Sequence, residues 1–581
     1  MRAAFALLAL DMRGTLALLA LAWPALAPAQ LGSPEADTGR TEKAAAHAPR
    51  HMVVAAHPLA VEAGHAVLAL GGSAVDAAIA VQAVLGLVEP QSSGIGGGAF
   101  LLHWSAAQRA LRSYDGREAA PLAASEERFL RNGMPLDYLD AVNSGNAVGV
   151  PGVLRALELA HRRHGRLPWR ELFQYAIFAA EEGFAITPRL NRLLERDPAL
   201  RRDPAARRLY YDAAGRALAV GTIIVNAEYG RTLREVAARG ADAFYFGAIA
   251  DDIVLAARGH ERPGDLTSVD LARYRAIERD PVCGAYRGSR ICGMGPPSSG
   301  GIAVLQILGV LERTPFARAA PASADALHWF SEAARLAFAD RLRYVADPAF
   351  SPQPVAGLLD AAYLDARARL VGERSMGPAL PGEPAGAVAM GDADETEAAG
   401  TSHLSIVDAS GDAVAMTTTV ESAFGSRIMV RGFLLNNQLT DFAFVPTFAG
   451  RPVANRVGGG KRPRSSMAPT VVFDRDGELR LVAGSPGGPS IILYVARTLV
   501  AILDWGMDAQ AAVSLGNFGS TGGPTMLERG TALEALDDAL AERGHVLGFP
   551  AMPSGLHVIE RVPGGWRSGA DPRREGVARG G

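Results

Sequence analysis

Cysteine is nearly absent from this chain: 581 residues contain two. That excludes a disulfide scaffold, a zinc module built on cysteine and most iron–sulfur sites. An excess of one charge sign is missing as well. The 58 Lys+Arg and 61 Asp+Glu leave a formal charge of −3, without the basic surplus that a nucleic-acid or anionic-membrane binder carries. After the first 30 residues no segment has the roughly 20 successive apolar residues that a membrane span needs. Familiar catalytic signatures are missing too. There is no G-x-S-x-G, which disfavours an α/β-hydrolase. There is no H-E-x-x-H around His161 and His164 or elsewhere, so no metal is expected. Gly94-Ile-Gly96-Gly97-Gly98-Ala99 follows a helical pattern and precedes a strand pattern, the reverse of a dinucleotide fingerprint. Gly458-Gly459-Gly460-Lys461-Arg462 lacks the upstream Gly and the Ser/Thr of a P-loop. What remains is a globular chain, 49% hydrophobic, able to build a large core.

The N-terminus reads as an export signal. Thr15 to Trp23 is almost wholly apolar, follows Met12-Arg13 and ends in Ala27-Pro28-Ala29, an A-x-A cleavage pattern. Residues 1–29 are therefore expected to be a signal peptide directing the protein across the inner membrane to the periplasm, and a start at Met12 would make that signal cleaner. Residues 30–50, polar and Ala-rich without periodicity, are expected to be disordered. Export permits a disulfide. Cys283 and Cys292 flank a hairpin turning at Arg287-Gly288, where a two-residue loop would set them face to face. The alternative is two separate buried thiols.

Helical periodicity begins after His51, with Pro58 suited to a first turn. Ser73 and Asp76 form an S-x-x-D start for a helix over Ala74–Val88, apolar nearly all round and so expected to be buried. Further helices are expected at Leu154–His164, Pro168–Glu182, Arg231–Gly240, Asp325–Asp347 and Leu533–Arg543. Residues 376–400 are small and acidic without core periodicity. Short strands are expected at Ser402–Val407, Ala413–Thr419, Phe433–Asn436, Thr470–Phe473 and Leu479–Ala483. Helices and strands in blocks predict sheets covered by helices.

The chemistry concentrates where the acidic stretch runs into Gly400-Thr401-Ser402-His403-Leu404-Ser405-Ile406-Val407-Asp408. A Thr401 hydroxyl next to an unhindered Gly400 carbonyl suits autoproteolysis. The cut would leave Thr401 as a new N-terminus, a hydroxyl nucleophile beside its own α-amine, whose reference pKa of about 7.7–8.0 suits a general base. If Asp408–Asp412 is a five-residue hairpin loop, Val407 pairs with Ala413 and Thr401 faces Thr419. A one-residue slip would bring Thr418 or Val420 there instead.

Gly400–Asp408, Thr417-Thr-Thr419 and Leu434-Leu-Asn-Asn-Gln438-Leu-Thr-Asp441-Phe442 together resemble the small-subunit start of γ-glutamyltransferases, also called glutathione hydrolases. Gly71–Ala78, Glu89–Gly98, Met294–Gly301, Arg464–Thr470, Gly484–Gly488 and Gly569–Arg574 resemble further motifs of that family, in its order. The resemblance implies an α+β, four-layer αββα N-terminal-nucleophile hydrolase fold. It also implies one self-cleaved precursor giving a large subunit (51–400) and a small catalytic subunit (401–581) that stay together as a heterodimer. It assigns Thr401 as processing and catalytic nucleophile and Thr419 as the residue orienting it. Arg117 becomes the grip on the substrate α-carboxylate, where a bidentate fork favours Arg, helped by Ser465 and Ser466. Gln438 and Asp441 surround the α-ammonium, and the N–H groups of Gly487 and Gly488 form the oxyanion hole. Small γ-glutamyl compounds such as glutathione are the implied substrates, with no cofactor, no nucleic acid and no membrane partner. Two departures stand out. Glu421 replaces an Asn that contacts the substrate amine, and Ala443–Pro463 is shorter than the family's lid loop and lacks its closing tyrosine, which points to an open site and hydrolysis. The rival readings are a β-lactam (cephalosporin/glutaryl) acylase of the same superfamily and an unprocessed amino-acid-binding protein.

Overall fold

The computed structural model describes residues 38–393 and 400–581; the expected signal peptide lies outside the described residues. Two seven-stranded sheets, antiparallel at every step, form the centre. The first runs Val577–Gly580, Met52–Ala55, Thr401–Val407, Ala413–Thr419, Gly98–Ser105, Ala110–Gly116 and Ile277–Arg279. The second runs His47–Ala48, Gly565–Ala570, His557–Val562, Leu479–Gly484, Thr470–Phe473, Ser289–Gly293 and Val282–Tyr286.

Side-chain alternation sorts the layers. Met52, Val54, Leu102, Trp104, Val407, Ala413 and Ala415 of the first sheet meet Val471, Phe473, Val482 and Ile559 of the second in one inner cluster. Their neighbours in sequence, Val53, Ala55, Leu404, Ile406, Val414 and Met416, face the opposite way and pack under helices such as Ala74–Val88. Val472, Leu481 and Val558 do the same under Gly300–Glu312, Ala324–Tyr344 and Ser490–Leu503. The result is four layers, helix, sheet, sheet, helix. Because both faces of each sheet are covered, the central strands carry buried residues throughout instead of a polar–apolar alternation.

The local predictions agree closely with the structure. Ala74–Val88 is a fully buried helix with a reciprocal Ser73/Asp76 capping box. Val153–His164 and Ala324–Tyr344 are helical, and the Pro168–Glu182 stretch divides into a 3-10 turn and a helix. The Cys283 hairpin turns through Arg287 and Gly288, both with positive φ, and pairs Cys283 with Cys292 in a disulfide. The expected disorder over 30–50 does not hold for its described part. Thr38 and Thr41 donate backbone N–H groups to Arg573 and Pro572, and the Lys43 ammonium bonds the carbonyls of Asp571, Arg574 and Gly576. A polar composition hid this ordering because these partners lie more than 500 residues away in sequence. No helix long and apolar enough to cross a membrane occurs among the described residues.

Candidate active site

Thr401 opens a central strand and sits directly opposite Thr419, the register expected from a five-residue loop. Since Val407 points between the sheets, Ser405, His403 and Thr401 point there too, as do Thr417 and Thr419 on the facing strand. Above the apolar inner cluster these residues build a polar column. Ser405 Oγ donates to the His557 carbonyl (3.0 Å), and the His403 ring lies 2.8 Å from Thr417 Oγ1. At the top, the Glu421 N–H donates to Thr419 Oγ1 (2.7 Å), and Thr419 Oγ1 donates to the Gly400 carbonyl (2.6 Å). The hydroxyl has one proton to give, and it gives it to that carbonyl. On the other side of the junction Arg574 Nη1 reaches the Thr401 carbonyl at 3.4 Å. Gly400 is tightly enclosed: a Cβ there would lie 2.2 Å from the Glu421 carbonyl oxygen. Only glycine fits.

A buried arginine organises the second half of the site. Arg117 follows the Ala110–Gly116 strand and is 1% exposed. Its Nε donates to the Pro463 carbonyl (3.1 Å), and its Nη2 donates to the Arg464 carbonyl (2.6 Å) and to Asp441. Asp441 closes a 3-10 turn, Gln438–Asp441, whose Gln438 Nε2 also donates to Asp441 (2.6 Å). Asp441 Oδ1 and Gln438 Oε1 are buried without a hydrogen-bond partner among the described residues. Burial and the nearby Glu421 hold the Asp441 carboxyl well above the usual range, against the pull of Arg117. Glu421 accepts from Tyr138 Oη (3.1 Å) and from Asn437 Nδ2. The structure thus gathers Arg117, Gln438, Asp441 and Glu421, and ties them to Thr401 through Thr419.

The remaining predicted residues border this group. Ser465 follows the two carbonyls that Arg117 holds, and its Oγ accepts from the Met467 N–H (3.1 Å). Ser466 Oγ accepts from Arg341 Nη2 (2.6 Å), so Arg341 holds it. Gly487 and Gly488, at φ 136° and 55°, lead into the Ser490–Leu503 helix. A Cβ on Gly487 would come within 2.5 Å of the Tyr494 ring. Their link to Thr401 is indirect. Gly555 packs between Pro486 and Arg574, and Arg574 reaches the Thr401 carbonyl.

Glu118 was missed by sequence reasoning, although its place next to Arg117 in a wholly buried run was a usable signal. Gly98 pairs with Thr419, and a Cβ on Gly98 would lie 2.2 Å from Glu118 Oε2. The Glu118 carboxyl therefore lies one strand beyond Thr419 on the Thr401 face. Burial raises it from the ordinary 4.5 to about 8, outweighing Arg117 at 3.8 Å. A raised acid keeps a proton in the folded state that the unfolded chain releases, so stability is full below pH 4.5 and declines as pH rises towards 8. Glu118→Gln should flatten the fall in thermal midpoint across that window. Equal slopes for variant and wild type in scanning calorimetry would remove Glu118 as its source.

The sequence pattern of one family, Gamma-glutamyltranspeptidase, matches residues 60–581. The chain belongs to that family. A glutathione hydrolase proenzyme of Escherichia coli K12 is 34% identical over 533 residues, 90% of each chain. An acylase ACY 1 proenzyme of Pseudomonas sp. SE83 is 35% identical over 541 residues, 91% of this chain and 93% of its own. Among solved structures, cephalosporin acylase from Bacillus halodurans superposes with a TM-score of 0.81 at 26% identity, covering 95% of this chain and 99% of that one. The two-sheet, four-layer architecture is thus the α+β N-terminal-nucleophile hydrolase fold shared by gamma-glutamyltranspeptidases and these acylases.

The Ala443–Pro463 segment contains no tyrosine and is tied down by Lys461 Nζ on the carbonyls of Ala454 (2.6 Å) and Arg456 (2.9 Å). A tyrosine from another segment, Tyr138, reaches Glu421 (3.1 Å). Nothing local in sequence marks that contact. One group of histidines also comes together: His328, Glu332 and His545 place ligand-type atoms within 4.8 Å of one another. In the structure these donors bond each other and the 372–376 segment, through His328 to the Gly372 carbonyl and through Ser375 and the Met376 N–H to Glu332.

Proposed function

We propose that this chain is an exported, self-processing γ-glutamyl hydrolase/transferase with Thr401 as its N-terminal nucleophile. One observation carries the reading: Thr401 faces a threonine whose hydroxyl donates to the Gly400 carbonyl, beside a buried arginine and two buried carboxylates. In processing, Thr401 Oγ adds to the Gly400 carbonyl and the C–N bond breaks. The nitrogen takes the hydroxyl proton, and water hydrolyses the ester, freeing a 401–581 fragment. Thr401 Oγ then attacks a γ-glutamyl amide, its proton passing through the α-amine to the leaving amine. The N–H groups of Gly487 and Gly488 receive the oxyanion, and water or an acceptor amine takes the acyl group from Thr401. Arg117, with Ser465 and Ser466, binds the donor α-carboxylate, while Gln438, Asp441 and Glu421 face its ammonium. Relatives named glutathione hydrolase proenzyme support glutathione as a substrate and a processed precursor; a cut before Thr401 would give a large (51–400) and a small (401–581) part. Export through the 1–29 signal would place the enzyme in the periplasm.

N-terminal sequencing of the smaller fragment tests the reading. It should begin at Thr401, and a single uncut chain would sink the proposal. The acylase reading is favoured by the acylase relatives. It predicts faster release from a glutaryl anilide than from a γ-glutamyl anilide; we expect the opposite order, because a glutaryl donor has no ammonium to place against Asp441 and Glu421.

A further inference from the structure

Tyr138 belongs to a part of the chain to which sequence reasoning assigned no function. It opens a short helix, Tyr138–Val142, capped by Asp137 and anchored where Arg262 bonds the Asp140 carboxylate (2.7 Å) and carbonyl (3.0 Å). Its half-buried ring stacks on Phe444 (centroids 6.3 Å apart, 19° between planes), which stacks on Phe129 (4.6 Å, 20°). The three stacked rings form a wall whose Tyr138 end reaches Glu421.

The inner end of that wall meets a residue held from three sides. Glu421 has φ 82°, a left-handed backbone that a side chain of its size seldom adopts. Its N–H is bound to Thr419 Oγ1, one carboxylate oxygen takes the Asn437 amide, and the other takes the Tyr138 hydroxyl at 3.1 Å. Tyr138 thus holds the Glu421 side chain, while the Glu421 backbone N–H and Thr419 Oγ1 lead to the Gly400 carbonyl. Burial and the two neighbouring carboxylates push the phenol well above its ordinary range, so it stays a donor.

We propose that Tyr138 is a specificity-determining residue that fixes the Glu421 carboxylate against the α-ammonium of the acyl donor. This selects γ-acyl donors bearing an α-amino group over their deamino, glutaryl counterparts. The inference rests on the γ-glutamyl reading above. Arg117 grips a carboxylate that both donor types carry, so it cannot separate them. The carboxylate on the opposite side can, provided its rotamer is held. A hydrogen bond to an ionised group is among the stronger ones, and losing it should weaken recognition of the amino group specifically.

The test uses the processed enzyme with Tyr138→Phe, which keeps the ring stack and removes only the hydroxyl. Calorimetric titration with L-glutamate and with glutarate is run beside kinetics on γ-glutamyl and glutaryl anilides. We expect Kd for L-glutamate and KM for the γ-glutamyl anilide to rise about tenfold, the change residing in KM and not kcat, with glutarate binding unmoved. Equal weakening for both ligands, or no weakening for either, overturns the inference while leaving the γ-glutamyl reading intact. Wild-type enzyme that binds glutarate as tightly as L-glutamate overturns that reading and the inference with it.

Discussion

Thr401→Ala should yield one uncut polypeptide on a denaturing gel, and turnover of a γ-glutamyl anilide should fall by at least ~10⁴-fold. The magnitude reflects the loss of processing and chemistry at once, since the same hydroxyl is assigned to both. The surroundings make the test clean. Removing a hydroxyl and a methyl at the mouth between the sheets leaves the strand pairing, Thr401 to Thr419 through Val407 to Ala413, in place. Thr419 Oγ1 would still bond the Gly400 carbonyl and Arg574 would still hold the carbonyl on the other side. Thr401→Ser keeps a hydroxyl in the same place and should cut, more slowly. Intact-mass measurement decides: an alanine variant that still splits after Gly400 removes Thr401 as the processing nucleophile.

Arg117→Ala should lower kcat/KM for the γ-glutamyl anilide by about 10³-fold, and Arg117→Lys by about 10²-fold. Arginine here uses two nitrogens on three acceptors, the Pro463 and Arg464 carbonyls and Asp441, a geometry that one ammonium on a flexible stem cannot reproduce. The alanine variant should also lose stability, of the order of 3–5 kcal/mol, because Asp441 and Glu118 remain buried without the guanidinium that opposes their mutual repulsion. Unlike Tyr138→Phe, both Arg117 variants should weaken L-glutamate and glutarate together in the calorimeter. Selective loss of one ligand would contradict the assignment of Arg117 to the carboxylate the two share.

Local physics was legible in the sequence, and long-range physics only in part. The Ala74–Val88 helix carries its own capping box, and the Thr401–Thr419 register is set by a loop of five residues between alternating strands. The paired cysteines are set face to face by a two-residue turn. Arg117, Gln438, Asp441 and Glu421 were named through family resemblance; spacing along the chain could not have joined positions more than 300 residues apart. Tyr138 was illegible for the same reason, its partner Glu421 lying 283 residues away in a stretch with no motif. The 38–50 segment shows the converse error. Composition argued for disorder, and distant carbonyls at the C-terminus supplied the hydrogen bonds that order it.

The strand order bears on the fate of a chain cut at Gly400. In the first sheet Thr401–Val407 and Ala413–Thr419 lie between Met52–Ala55 and Gly98–Ser105, and Val577–Gly580 caps the outer side of Met52–Ala55. The two pieces would be interleaved like fingers of folded hands, so dilution alone could not part them: separation would require unzipping ladders on several sides at once. Unfolding would be another matter. The covalent link that held the pieces at high effective concentration would be gone, and refolding would become a bimolecular search for an interdigitated partner. Such a molecule would be assembled once, as a single chain, and afterwards would persist by the height of its unfolding barrier more than by reversible equilibrium.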